Sequence, residues 1–113
     1  MRIVEKEISI EELKKMASKM FGNLVKGVVD VEDGILVIDA ELHSDEEAYL
    51  LERGSKQGNL WGINIYPDLD QEERIEFDSM INLRPSQNNN SRGVDNEDIQ
   101  NKILDIVNSK IVG

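Results

Sequence analysis

The pair Asp33-Gly34, set between two strongly apolar runs, constrains the fold of this chain more than any other feature. Residues 24–32 and 35–42 read as strands, and Asp-Gly accepts the positive φ of a tight hairpin turn. In the second run Leu36, Ile38, Ala40 and Leu42 share one face. Ile35, Val37, Asp39, Glu41 and His43 share the other, because side chains alternate along a strand. The first half is apolar on both faces, as expected of a central strand covered on both sides. The second half turns acidic on one face.

Around this hairpin the other elements follow from periodicity and caps. Residues 2–8 read as a short strand. Ser9 reads as a helix N-cap with Glu12 as its capping-box partner. Ile10, Leu13, Ala17, Met20 and Leu24 then recur at helical spacing. Ser44 with Glu47 predicts a second capping box and a short helix over 45–53. Residues 60–66 form a strand with Trp61, Ile63 and Ile65 on one face and Gly62, Asn64 and Tyr66 on the other. Residues 75–83 form its antiparallel partner. There Ile75, Phe77, Ser79, Ile81 and Leu83 point inward, and Glu76, Asp78, Met80 and Asn82 outward. Asp95, with Asp98 at the box position, predicts a last helix with Ile99, Ile103, Ile106 and Val107 as its buried stripe.

The order is β-α-β-β-α-β-β-α. That is an α+β protein with a mainly antiparallel sheet of about five strands and three helices. The sequence does not set the pairing between the two hairpins. A length of 113 residues suits a single domain over 1–113, since neither half would bury enough surface to stand alone.

Charge and residue usage then exclude whole classes of function. The net charge is −10. Such a field repels phosphates, so nucleic acid is an unlikely partner and an anionic membrane a poor one. A cationic ligand, a divalent metal or a basic protein surface suits it better, and solubility alone also accounts for it. There is no cysteine, which removes disulfides, thiolate zinc sites, iron–sulfur clusters and cysteine nucleophiles. No apolar run approaches a membrane span, and charged residues interrupt the first residues where a signal peptide would need an apolar core. The expected location is the cytoplasm. No phosphate-binding glycine loop and no nucleophile elbow is present.

Three constellations carry chemistry. Asp39, Glu41 and His43, alternating on a strand, would present two carboxylates and an imidazole in a row. Oxygen and nitrogen donors of that kind suit a divalent metal or acid–base work. The plain alternative is a solvated acidic strand end. Asn64, Tyr66, Glu76, Asp78 and Asn82 would cluster on the far face of the second hairpin. The third is the loop 84–94, which is almost without apolar residues and has no acid. Arg84 and Arg92 would clamp a carboxylate or phosphate there. Asn88, like its neighbours Asn89 and Asn90, tolerates the left-handed turns of an anion-holding loop. The plain alternative is a mobile tip.

Two functional classes remain. One is a ligand- or protein-interaction module, with Arg84, Asn88, Arg92, Asn64 and Tyr66 as its binding residues and a homo-oligomer, most simply a two-fold dimer, as a compatible state. The other is a metal-assisted or acid–base hydrolase acting on a small anionic substrate. It would use Asp39, Glu41 and His43 for metal, or His43 and Asp78 for proton transfer. This second class makes a spatial demand. His43, Asp78 and at least one arginine must meet in one concavity.

Two stretches also carry a resemblance. They are Glu-Leu-His-Ser-Asp-Glu-Glu-Ala-Tyr-Leu-Leu-Glu-Arg-Gly-Ser-Lys-Gln (41–57), running on through Leu-Trp-Gly-Ile-Asn-Ile-Tyr-Pro (60–67), and Phe-Asp-Ser-Met-Ile-Asn-Leu-Arg-Pro-Ser-Gln-Asn-Asn-Asn-Ser-Arg-Gly-Val (77–94). Together they resemble a family of small uncharacterised bacterial and archaeal proteins, a domain of unknown function. The resemblance runs nearly end to end. It implies a compact single-domain prokaryotic protein and no activity, so it transfers no catalytic residue.

Overall fold

The computed structural model describes all of residues 1–113. The hairpin forms as expected. Strand β3 (Val25–Asp30) pairs antiparallel with β4 (Ile35–Ile38). The connection is longer than a two-residue turn, because Asp30 pairs with Ile35 and four residues lie between them. Gly34 takes φ 67° and donates its N–H to the Asp30 carbonyl. The buried Asp30 carboxylate holds the turn by accepting from the backbone of Glu32 and Asp33 and from the Ser55 hydroxyl.

The first predicted strand divides in two. β1 (Arg2–Val4) pairs with β4, and β2 (Ile8–Ser9) pairs in parallel with β7 (Ile111–Val112) near the other end of the chain. Ile3 and Ile8 would have faced opposite ways on one strand. In two strands each meets its own apolar partners. Strand β5 (Leu60–Ile65) joins the other side of β3, and β6 (Ile75–Glu76) closes the edge. The main sheet runs β1-β4-β3-β5-β6, antiparallel throughout.

Helix α1 (Ile10–Lys19) starts at the expected cap, with the Ser9 hydroxyl accepting from the Glu12 N–H at 3.1 Å. It packs on one sheet face beside α3 (Glu97–Lys110). Leu13, Ala17, Ile103 and Val107 meet Val29, Leu36, Ile38, Trp61, Ile63 and Ile65 there in the larger core. Helix α2 (His43–Glu52) covers the opposite face, where Leu50 packs on Val28, Val37 and Leu60. The sheet is thus sandwiched between helices, as the apolar-on-both-faces start of β4 implies. No helix is long and apolar enough to cross a membrane.

Two helix starts differ from expectation. Asn96, not Asp95, caps α3, with its side chain accepting from the Ile99 N–H. Asp95 instead accepts from the Asn90 N–H and the Ser91 hydroxyl, which hold its carboxyl below the usual range. Helix α2 begins at His43 after Leu42, and no side chain caps it. The predicted Ser44–Glu47 box does not form, because Ser44 already lies inside the first turn.

The predicted strand over 75–83 ends at Glu76. Beyond it the Asn82 side chain takes the place of a neighbouring strand. Its Oδ1 accepts from the Gly62 N–H at 2.8 Å, and its Nδ2 donates to the Gly62 carbonyl at 3.0 Å. Gly62 permits this close approach. A Cβ there would lie 2.5 Å from the Ser79 Cβ, well inside contact distance. Asn82 is therefore fully buried rather than outward-facing, while Leu83 is exposed.

Candidate functional site

The largest departure from the sequence reading falls where the Asp39, Glu41, His43 row was expected. β4 stops at Ile38, and Asp39 adopts φ 71°, a left-handed conformation that Asp tolerates better than most residues. The chain turns out of the sheet there, and His43 opens helix α2 instead of closing a strand. No three His, Asp or Glu side chains gather closely enough to share an ion. The donor set proposed for a divalent metal is therefore not assembled. The reason is the left-handed step at Asp39, which abolishes the alternation the row needs.

The Arg84 and Arg92 clamp does not form either. Arg84 is buried, stacks on the Trp61 ring at 4.0 Å and donates to the carbonyls of Gln57 and Leu60. Its guanidinium is a structural brace. Arg92 points elsewhere and pairs with Asp78 at 2.8 Å. Asn88 does take the expected left-handed turn, at φ 60°, but lies with Trp61, Asn96 and Ile99 around a separate hollow. Loop 84–94 is built around Asn89, whose Nδ2 donates to the carbonyls of Asn82, Ser91 and Gly93. Its Oδ1 accepts from the Asp95 N–H. Tyr66 donates to Glu76 on the exposed side of the sheet edge.

What the fold does bring together is His43, Asn64, Asp78 and Arg92. With Lys26, Ser44 and Ser79 they line a cavity of about 190 Å³ between the start of α2 and the Asn64 end of β5, with Leu42, Met80 and Ile81 also in its wall. The demand that His43, Asp78 and an arginine share one concavity is met. The volume is below the roughly 300–1,000 Å³ of drug-sized ligand sites. Larger hollows elsewhere hold no histidine, and the one beside Asp30 and Asp33 has no apolar lining.

Each side chain in the cavity has a definite state. His43 is 8% exposed, and its Nε2 lies 2.7 Å from the Ile63 carbonyl. A carbonyl only accepts, so Nε2 carries the proton and Nδ1 is the basic nitrogen. Burial lowers the His43 pKa, opposed by the Ile63 bond, by Asp78 and by a hydrogen bond with the Asn64 side chain, and aided by Lys26. The imidazole is neutral at pH 7. Asn64 is 7% exposed, and its Nδ2 donates to Glu76 Oε1 at 2.9 Å and to the Asp78 carbonyl at 3.4 Å. Both partners are acceptors, which fixes the orientation of the amide. Its Oδ1 is buried without a partner.

Residues 2–110 match the family described as a protein of unknown function (DUF5674). The chain belongs to this family. No curated protein and no solved structure matches it. The family carries no activity to transfer, so the geometry of the cavity is the whole basis for assigning one.

One cavity residue, and one buried acid in the same turn as His43, had no part in the sequence reading. Lys26 sits at an interior position of β3, a lone cation in an apolar strand, and that isolation was its signal. Glu46 lies on the buried side of α2. The signal was helical spacing, since His43, Glu46 and Leu50 form the buried stripe of that helix. Glu46 is fully buried, with Oε2 accepting from the Ala40 N–H at 3.2 Å and Oε1 unpartnered. Burial pushes its pKa up to about 9, so at neutral pH it is an uncharged acid.

Proposed function

We propose that the protein is a binding module for a small anionic molecule, held in the His43 cavity at the start of α2. The observation that carries this reading is the uncapped N-terminus of α2. Leu42, His43 and Ser44 form that terminus and all line the cavity, and no side chain satisfies its first N–H groups. A helix start with free N–H groups is an anion site in waiting. Lys26 and Arg92 add two cations to the wall against one carboxylate, Asp78. Arg92 is paired with Asp78, so Lys26 is the cation left over in the cavity wall of a chain whose charge is −10. In the first turn Glu46 is a neutral acid at pH 7, and Asp45 supplies the one carboxylate that opposes an anion there.

Acid–base chemistry on such an anion is a second reading. One observation favours it. The Ile63 carbonyl fixes the tautomer of His43 and leaves Nδ1 as a neutral base in the same cavity as Asp78. The metal-assisted version finds no donor set in Asp39, Glu41 and His43.

Small anions test the binding reading. Acetate and inorganic phosphate, titrated into the ¹⁵N-labelled protein at low ionic strength, are expected to shift the backbone amides of His43 and Ser44. Lys26→Ala is expected to weaken that response several-fold. Amide shifts scattered over the surface, or none at all at high millimolar anion, would contradict it.

A further inference from the structure

The imidazole of His43 is met by two acceptors of the protein itself. Its Nε2–H donates to the Ile63 carbonyl at 2.7 Å. The Asn64 side chain meets the same ring, and its hydrogen bond favours the charged form. Asn64 cannot turn to offer a donor instead, because its Nδ2 is committed to Glu76 Oε1 and the Asp78 carbonyl. A neutral ring has one N–H, and Ile63 takes it. Asn64 Oδ1 is then buried without a donor, which is costly. An imidazolium has two N–H groups, and the second is the donor this oxygen lacks. Burial works the other way and keeps the ring neutral at pH 7.

The charged groups around the ring are few. β3 brings Lys26, the segment after β6 brings Asp78, and loop 84–94 brings Arg92, already paired with Asp78 at 2.8 Å. β5 brings none. On α2 itself Asp45, Glu46 and Glu47 follow, of which Glu46 is a neutral acid. Lys26 is the one cation of the wall without an ion pair, so a charge on His43 would double the free positive charge there. We infer that His43 is a proton-operated gate on the anion site: on taking a proton, the ring donates to Asn64 Oδ1 as well as to Ile63 and brings a second free cation to the start of α2. The gate rests on the anion-binding reading. Proton and anion then favour each other's binding by the same factor.

Sulfate keeps its charge between pH 5 and pH 8, so it reports the protein's titration and not its own. It is titrated into the full chain at pH 5 and at pH 7.5, at one low ionic strength, with the His43 and Ser44 amides as the readout. Sulfate is expected to bind about tenfold more tightly at pH 5, and saturating sulfate to raise the His43 ring pKa by about one pH unit, the same coupling read from the other side. The ring measurement needs no variant. The Asn64 carboxamide resonances are expected to titrate with the ring. His43→Gln keeps a donor for the Ile63 carbonyl and is expected to make the two affinities equal. Binding that ignores pH, with a ring pKa that sulfate leaves in place, would overturn the gate and leave the anion site standing. A tightening that survives His43→Gln would belong to the fading charge of the acidic chain and would also overturn the gate. An Asn64 carboxamide that ignores the ring's titration would overturn the part given to Asn64. No sulfate response at either pH would overturn both readings.

Discussion

Asn82→Ala is expected to destabilise the fold by about 3–5 kcal/mol, a loss large enough to unfold a marginal domain of this size. The side chain is fully buried and serves three backbone groups. It accepts from the Gly62 N–H and donates to the carbonyls of Gly62 and Arg92. Truncation leaves the Gly62 N–H and carbonyl without partners, while the Arg92 carbonyl keeps the Ser79 N–H, and each orphan costs about 1–3 kcal/mol. Asn82→Asp is the sharper probe. Its carboxylate keeps the bond from Gly62 N–H but faces two carbonyl oxygens, so it repels where the amide bonds. The Asp variant is therefore expected to be the worse of the two at pH 7 and to recover partly on acidification. Chemical denaturation gives both values. A loss under about 1 kcal/mol for Asn82→Ala would mean that the amide does not close the sheet edge.

Glu46→Gln is expected to raise stability at neutral pH, with a sign that reverses the usual expectation for removing a charge. The folded-state pKa of Glu46 is raised to about 9 from an ordinary 4.5, chiefly by burial. Between those values the native protein holds a proton that the unfolded chain has released. Stability therefore falls as pH rises, by up to about 1.4 kcal/mol per pH unit, and the accumulated loss at pH 7 is about 3 kcal/mol. Below pH 4.5 both states are protonated and the penalty vanishes. Glutamine keeps an oxygen for the Ala40 N–H and has no proton to lose. Wild type and variant should match near pH 4, and the variant should pull ahead steadily toward pH 8. Denaturation across that range measures the difference directly. Parallel curves would show that Glu46 is ionised in the native state.

The parts of the fold written in local chemistry were legible. The central hairpin, the Ser9 cap and the alternation of Trp61, Ile63 and Ile65 each depend on residues close in sequence, and each appears in the structure. What escaped depends on contacts distant in sequence. Nothing local announces that Asp39 takes a left-handed turn, yet that one residue moves His43 from a strand to a helix. The run 75–83 alternates well enough for a strand. It loses to Asn82, whose amide reaches Gly62 twenty residues away. Arg84 and Arg92 look equivalent in an open loop, but only Arg84 meets the Trp61 ring. In the candidate site, His43, Asp78, Asn64 and Arg92 were each singled out, though from three separate constellations. Their meeting comes from α2 lying over the β3–β5 face, a pairing the sequence leaves unset.

The state of the one imidazole tests the account most directly. The chain has a single histidine, so a long-range ¹H–¹⁵N spectrum of the ring reports on His43 without ambiguity. At pH 7 the account predicts a neutral ring protonated at Nε2, titrating below 6.5, its ordinary value. It also predicts that the Nδ1 resonance moves when acetate or phosphate is added. A ring protonated at Nδ1, or an Nδ1 signal that ignores acetate and phosphate alike, would contradict the site.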